Sequence, residues 1–183
     1  MRRKKRIIIV CAILAIAFWV VYPNKSISSY SSKRESFFSA SEIMPSIESL
    51  PVSERMIYRY KKTPWFLPIW YGQTMLLVVT YDDETFASEL NEINNQYHDL
   101  PDTVNIVGMG DEAKYISSYF SINSYEFRIV GTGRYGCPKD FGMIAVSEEK
   151  KEIAYLYFYD FELDYITPPM SDFVKIYFNY QWV

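Results

Sequence analysis

Alternation of apolar and polar positions is clearest over residues 152–166, EIAYLYFYDFELDYI. Ile153, Tyr155, Tyr157, Tyr159, Phe161, Leu163 and Tyr165 fall on one face of a strand; Ala154, Leu156, Phe158, Asp160, Glu162 and Asp164 fall on the other. The first half is apolar on both faces, the mark of a strand covered on both sides and placed centrally in its sheet. From Asp160 onward the second face turns acidic, which predicts a strand end that emerges into water. Further strands are predicted at 54–62, where Met56, Tyr58 and Tyr60 point inward, and at 74–81, TMLLVVTY. Others are predicted at 103–107, 125–130 and 141–146.

Period 3.6 takes over in two places. Phe86, Leu90, Ile93 and Tyr97 form one apolar stripe after a capping Asp82 or Asp83, which predicts a helix over 82–97. Ser171 caps a final helix to about Asn179, with Phe173, Val174, Tyr177 and Phe178 on its buried side. A short helical turn is expected in 41–50, broken by Pro45, and a short helix over 112–119, capped by Asp111. Short loops between successive strands imply an antiparallel meander. The expected fold is therefore α+β: a mostly antiparallel sheet of about five strands, with two or three helices packed on one face.

The N-terminus changes the picture. Arg2, Arg3, Lys4, Lys5 and Arg6 precede an uncharged run over residues 7–22, with Trp19 and Tyr22 near its far end. A basic flank, an apolar run and aromatic residues at the boundary predict a transmembrane signal anchor, N-terminus in the cytoplasm, with the remainder outside the cell membrane. The lipid bilayer is then the first expected partner. A cleaved signal peptide is the alternative, but a cut after Ala15-Ile16-Ala17 would leave a very short apolar core. The domains expected are a basic tail (1–6), the anchor (7–22), a serine-rich flexible linker (23–41) and one extracytoplasmic domain (42–183).

Composition narrows the class. Hydrophobic residues make up 49% and aromatics 18% of the 183, which excludes a disordered chain. Of 19 Lys and Arg, five lie in residues 1–6, leaving 14 against 22 Asp and Glu, all beyond Tyr22. Such an acidic domain disfavours nucleic acid as a partner.

Candidate chemistry is sparse. Gly131, Gly133 and Gly136 match G-x-G-x-x-G, but a strand-like FGMIAV follows where a dinucleotide site needs a helix, so the match predicts a hairpin loop. Asp160, Glu162 and Asp164 would offer three carboxylates on one strand face; strand neighbours diverge, so a cation site requires the strand to bend. The single histidine, His98, reads as a surface residue past a helix end, and Cys137 as a partly buried, inert thiol, with an intermolecular disulfide as the alternative. No cofactor or catalytic residue is expected. The sharper candidate is the loop at 64–72, where Trp65, Phe66, Leu67, Trp70 and Tyr71 sit between prolines and a glycine, either an interaction surface or part of the core.

Residues 141–166, FGMIAVSEEKKEIAYLYFYDFELDYI, and the ending MSDFVKIYFNYQW at 170–182 resemble a group of small bacterial proteins that are membrane-anchored or carry lipoprotein signals. The likeness implies an address and a fold, and no catalytic residue. The reading is a membrane-tethered binding module that meets a protein partner at the cell surface. The alternatives are an assembly subunit docking on another membrane protein and a hydrolase with an unrecognised site.

Overall fold

The computed structural model describes residues 27–36, 38–64, 71–106, 114–166 and 169–178. Eight strands are present among them: β1 (Arg55–Pro64), β2 (Tyr71–Thr80), β3 (Thr103–Ile106), β4 (Lys114–Ser117), β5 (Tyr119–Ile122), β6 (Tyr125–Thr132), β7 (Asp140–Ser147) and β8 (Glu152–Asp160). The helices are α1 (Tyr30–Glu35), α2 (Phe38–Ile43), α3 (Asp83–Gln96) and α4 (Met170–Phe178), with 3-10 turns at Ile27–Ser29 and Ile47–Ser49.

Six strands form one antiparallel sheet in the order β1-β2-β8-β7-β6-β5, and β3 and β4 pair separately. After the β1–β2 hairpin the chain passes through α3 and the β3–β4 pair to the far edge. It then returns as a meander from β5 to β8, so that β8 closes against β2. The row Leu76, Leu156, Met143 and Ile129 runs across four strands on one face.

β8 is central and buried on both sides, as its two apolar faces require. Ala154, Leu156 and Phe158 join one core with Phe141, Phe173, Val174 and Phe178, which α4 and the β3–β4 pair cover. Ile153, Tyr155 and Tyr157 join a second core with Tyr30, Met44, Leu77 and Phe86, beneath α1, α2 and α3. Asp82 caps α3: its carboxylate accepts the Thr85 amide at 2.9 Å and hydroxyl at 3.0 Å, which holds its carboxyl below the usual range.

Several expectations are corrected. The sheet has six strands plus a separate pair, not about five, and helices lie on both faces rather than one. A strand that is apolar on both sides leaves two faces to be shielded from water, and one helical layer covers only one of them. The helix expected over 112–119 gives way to β4 over 114–117, followed by β5. β8 stops at Asp160 and does not run to 166: its neighbours reach no further, with Gly72 opposite Asp160 and Asp140 opposite Tyr159. The Asp160 carboxylate then accepts the Glu162 amide at 3.1 Å, which turns the chain.

The expected fold also began with a transmembrane helix. Among the described residues no helix is long and apolar enough to cross a membrane, and the longest, α3, has 14 residues. Residues 7–22, where the transmembrane anchor was expected, lie outside the described residues. The serine-rich stretch expected as a linker up to Ser41 is helical at Ile27–Ser29, Tyr30–Glu35 and Phe38–Ile43 and docked: Tyr30, Ala40 and Met44 are buried. We refer to residues 27–50 as the strap. Gly142 provides its seat, because Ile43 of α2 rests on the sheet where a side chain at 142 would stand.

Candidate functional site

Among the described residues, hollows open at two places on the strap-bearing face. The first, of about 590 Å³, lies beside α3 over the outer half of the sheet. Leu90, Ile93 and Tyr97 form its helical wall. Val130, Ile144 and Val146 form the floor, and Tyr119, Glu126, Arg128, Glu148 and Glu149 the rim. The second, of about 420 Å³, lies between α3 and the strap and is lined by Arg34, Glu42, Glu89, Glu92, Tyr97 and Tyr155, among others. Both are lined by Ile93, Tyr97 and Ile144, so they adjoin there, on the two flanks of the α3 stripe, and together make up the groove.

This groove follows from local sequence. β6 alternates: Tyr125, Phe127 and Ile129 enter the core under α4, leaving Glu126, Arg128 and Val130 to face the other way. α3 turns Phe86, Leu90, Ile93 and Tyr97 onto the sheet, which sets Glu89 and Glu92 beside that stripe. The helix covers the sheet's inner strands and leaves part of β6 and β7 open.

Electrostatically the groove is one-sided. Six glutamates line it, Glu42, Glu89, Glu92, Glu126, Glu148 and Glu149, against Arg34 and Arg128. Among the described residues none of the six is in an ion pair. Arg34 donates to the carbonyls of Met44 at 2.6 Å and Ser41 at 2.7 Å. Arg128 donates to Leu100 O at 3.1 Å and lies 4.7 Å over the Tyr119 ring. Burial, and then the like charge of Glu92, raise the carboxyl of Glu89 above its ordinary value. Burial raises the phenols of Tyr97 and Tyr155 as well, so both rings stay neutral.

Two buried carboxylates elsewhere act as fasteners. Asp140, 1% exposed, accepts the Ser39 hydroxyl at 2.9 Å and bonds the Tyr157 phenol, tying the strap to β7 and β8. Gly133 lies directly under that carboxylate, in space a Cβ would occupy. Glu152, at the opposite end of the sheet, accepts from Arg55 at 2.8 Å, Thr80 at 3.2 Å and the Tyr125 phenol, joining β1, β2 and β6 to β8. Ser39, Asp140 and Tyr157 line neither hollow.

The residues singled out from sequence fare differently. Trp65, Phe66, Leu67 and Trp70 lie outside the described residues; Tyr71 opens β2 opposite Pro64. Asp160, Glu162 and Asp164 do not share a strand face, and Asp164 pairs with Lys139 at 3.0 Å. Among the described residues no three His, Cys, Asp or Glu come together as a metal site. The G-x-G-x-x-G stretch ends β6, turns, and leads into β7, with Gly136 at φ 68°. His98 is exposed past α3. Cys137 is buried, and desolvation pushes its thiol up to about 12, which keeps it protonated and unreactive.

Sequence reasoning missed the groove. Its one legible signal was the charged alternate face of 125–130, on a strand that is not at an edge; only the fold sets that face beside Leu90, Ile93 and Tyr97 of α3. No family model, curated protein or solved structure matches the chain.

Proposed function

We propose that this chain is a recognition module whose groove takes a cationic, partly apolar segment of a partner protein. One observation carries the reading: six glutamates, none in an ion pair among the described residues, rim two adjoining hollows walled by Val, Ile and Tyr side chains. Opposite charge on the partner speeds encounter and fixes orientation, while the apolar floor supplies the desolvated contact that holds the complex. The groove is open along the sheet, which suits a chain segment more than a small enclosed ligand.

The test is a titration of the full chain with a labelled peptide of alternating Lys and Leu, beside a Glu and Leu counterpart, at several salt concentrations. The expected result is binding of the basic peptide alone, weakened by salt and by Glu126→Gln with Glu149→Gln. Equal binding of the two peptides, or binding indifferent to both substitutions, would refute the reading.

A further inference from the structure

We infer that Arg128, in the hollow beside α3, anchors one carboxylate of the bound segment, while the glutamates around it meet the segment's cations. The inference rests on the reading above and names one further contact of the same groove.

Strand register places this side chain. On β6, Arg128 lies on the groove face between Glu126 and Val130, opposite Tyr119 of β5 on one side and Ile144 of β7 on the other. All five line the hollow, and among the described residues that line it Arg128 is the one cation. The guanidinium is held in place without being neutralised. Among the described residues its single hydrogen bond runs from Nη2 to Leu100 O at 3.1 Å, and it lies 4.7 Å over the Tyr119 ring. A carbonyl and a ring fix its direction, but neither carries a full negative charge. Among the described residues no ion pair includes Arg128, although Glu126, Glu148 and Glu149 line the same hollow.

Exposure decides which charge governs which part of the hollow. Glu126, Glu148 and Glu149 are exposed, so they stay hydrated, and a contact with any one of them is weak and screened by salt. Arg128 is half-buried and has already lost part of its water. A carboxylate that meets its planar fork makes paired, charge-assisted hydrogen bonds, the stronger kind. The hollow therefore presents a cation among apolar side chains, ringed by solvated carboxylates. A lysine set over Arg128 is repelled, so a uniformly cationic segment is a poor fit there, and one carboxylate among the cations fixes the register.

The experiment titrates the full chain with three labelled peptides of alternating Lys and Leu. One is amidated at its C-terminus, one keeps the free C-terminal carboxylate, and one is amidated with a single internal Leu replaced by Glu. A carboxylate-bearing peptide should bind about tenfold more tightly than the plain amide, about 1.4 kcal/mol. Which of the two gains tells whether a chain terminus or a side chain supplies the group. Arg128→Gln should erase the ratio, and Arg128→Lys, which keeps the charge but not the fork, should keep only part of it. Glu126→Gln with Glu149→Gln should weaken all three peptides and preserve the ratio, a split that a purely structural role for Arg128 would not produce. Three peptides that bind equally, or a ratio that survives Arg128→Gln, would overturn the anchor and leave the groove reading standing. If no peptide binds, the groove reading falls, and sodium butyrate against sodium chloride, followed at the Arg128 Nε–H by NMR, decides the anchor. Saturable shifts with butyrate alone, with the accompanying β6 amide shifts lost in Arg128→Gln, would support a site for a small carboxylate; shifts matched by chloride would overturn it.

Discussion

Replacing Gly142 with alanine tests how the strap is held. A Cβ at 142 would overlap Cγ2 of Ile43 and lie 3.0 Å from its Cβ and 3.2 Å from its Cδ1. Carbon contacts settle at about 3.5–4.0 Å. Rotating the Ile43 side chain moves Cγ2 and Cδ1 but not Cβ, so α2 itself must lift. It carries Ser39, bonded to Asp140, and buried Ala40, with buried Met44 just beyond its end. Overpacking of this kind costs about 1–3 kcal/mol. Full release of the strap sets a ceiling, since exposing Tyr30 and Met44 forfeits about 1.5–3 kcal/mol for each. Ile43→Ala alone removes a half-buried side chain and costs about 2 kcal/mol, at the low end of such truncations. The two changes should not add. With Ile43 truncated the new methyl has room, and the double variant should cost about 1–2 kcal/mol less than the sum. Urea unfolding measures the cycle, and hydrogen exchange of amides 30–44 should quicken in Gly142→Ala and recover in the double variant. Additive costs, or Gly142→Ala within about 0.5 kcal/mol of the parent, would refute the account of the seat.

Tyr125→Phe removes one donor from buried Glu152 and should cost about 1.5–3 kcal/mol, as hydrogen bonds to charged groups do, read from urea midpoints at unchanged slope. Ser39→Ala leaves the Asp140 carboxylate a donor short and should destabilise by a similar amount, about 1.5–3 kcal/mol, with faster exchange confined to the strap. Glu89→Gln should raise Tm at neutral pH: the folded-state carboxyl is held above its ordinary value, so ionisation costs stability as pH rises from the ordinary value through the folded one. The gain should vanish at pH values below the ordinary carboxyl range, and a pH-independent gain would contradict it. Asp82→Ala should lower Tm, with the opposite sign: the carboxyl is depressed in the folded state, so its contribution is present above the ordinary value and is lost as pH falls through the folded one.

The sequence by itself determined the elements whose partners lie within one turn or one pleat. The period-2 run at 152–160 specified a central strand with two buried faces, and the stripe Phe86, Leu90, Ile93 and Tyr97 specified α3, because side-chain direction repeats every two residues in a strand and every 3.6 in a helix. Asp82 was legible as a cap because its partner, Thr85, is three residues away. Tertiary structure decided what depends on distant neighbours. Where β8 ends follows from where β2 and β7 begin. The strap is ordered by Gly142 and Asp140, about a hundred positions further along, and a stretch rich in serine gives no local sign of that dock. The groove is the clearest case. Glu89 and Glu92 read as the wet side of a helix, and Glu126 and Arg128 as the wet side of a strand. They line adjoining hollows only because α3 and β6 pack on the same face of the sheet, a relation that no local period encodes.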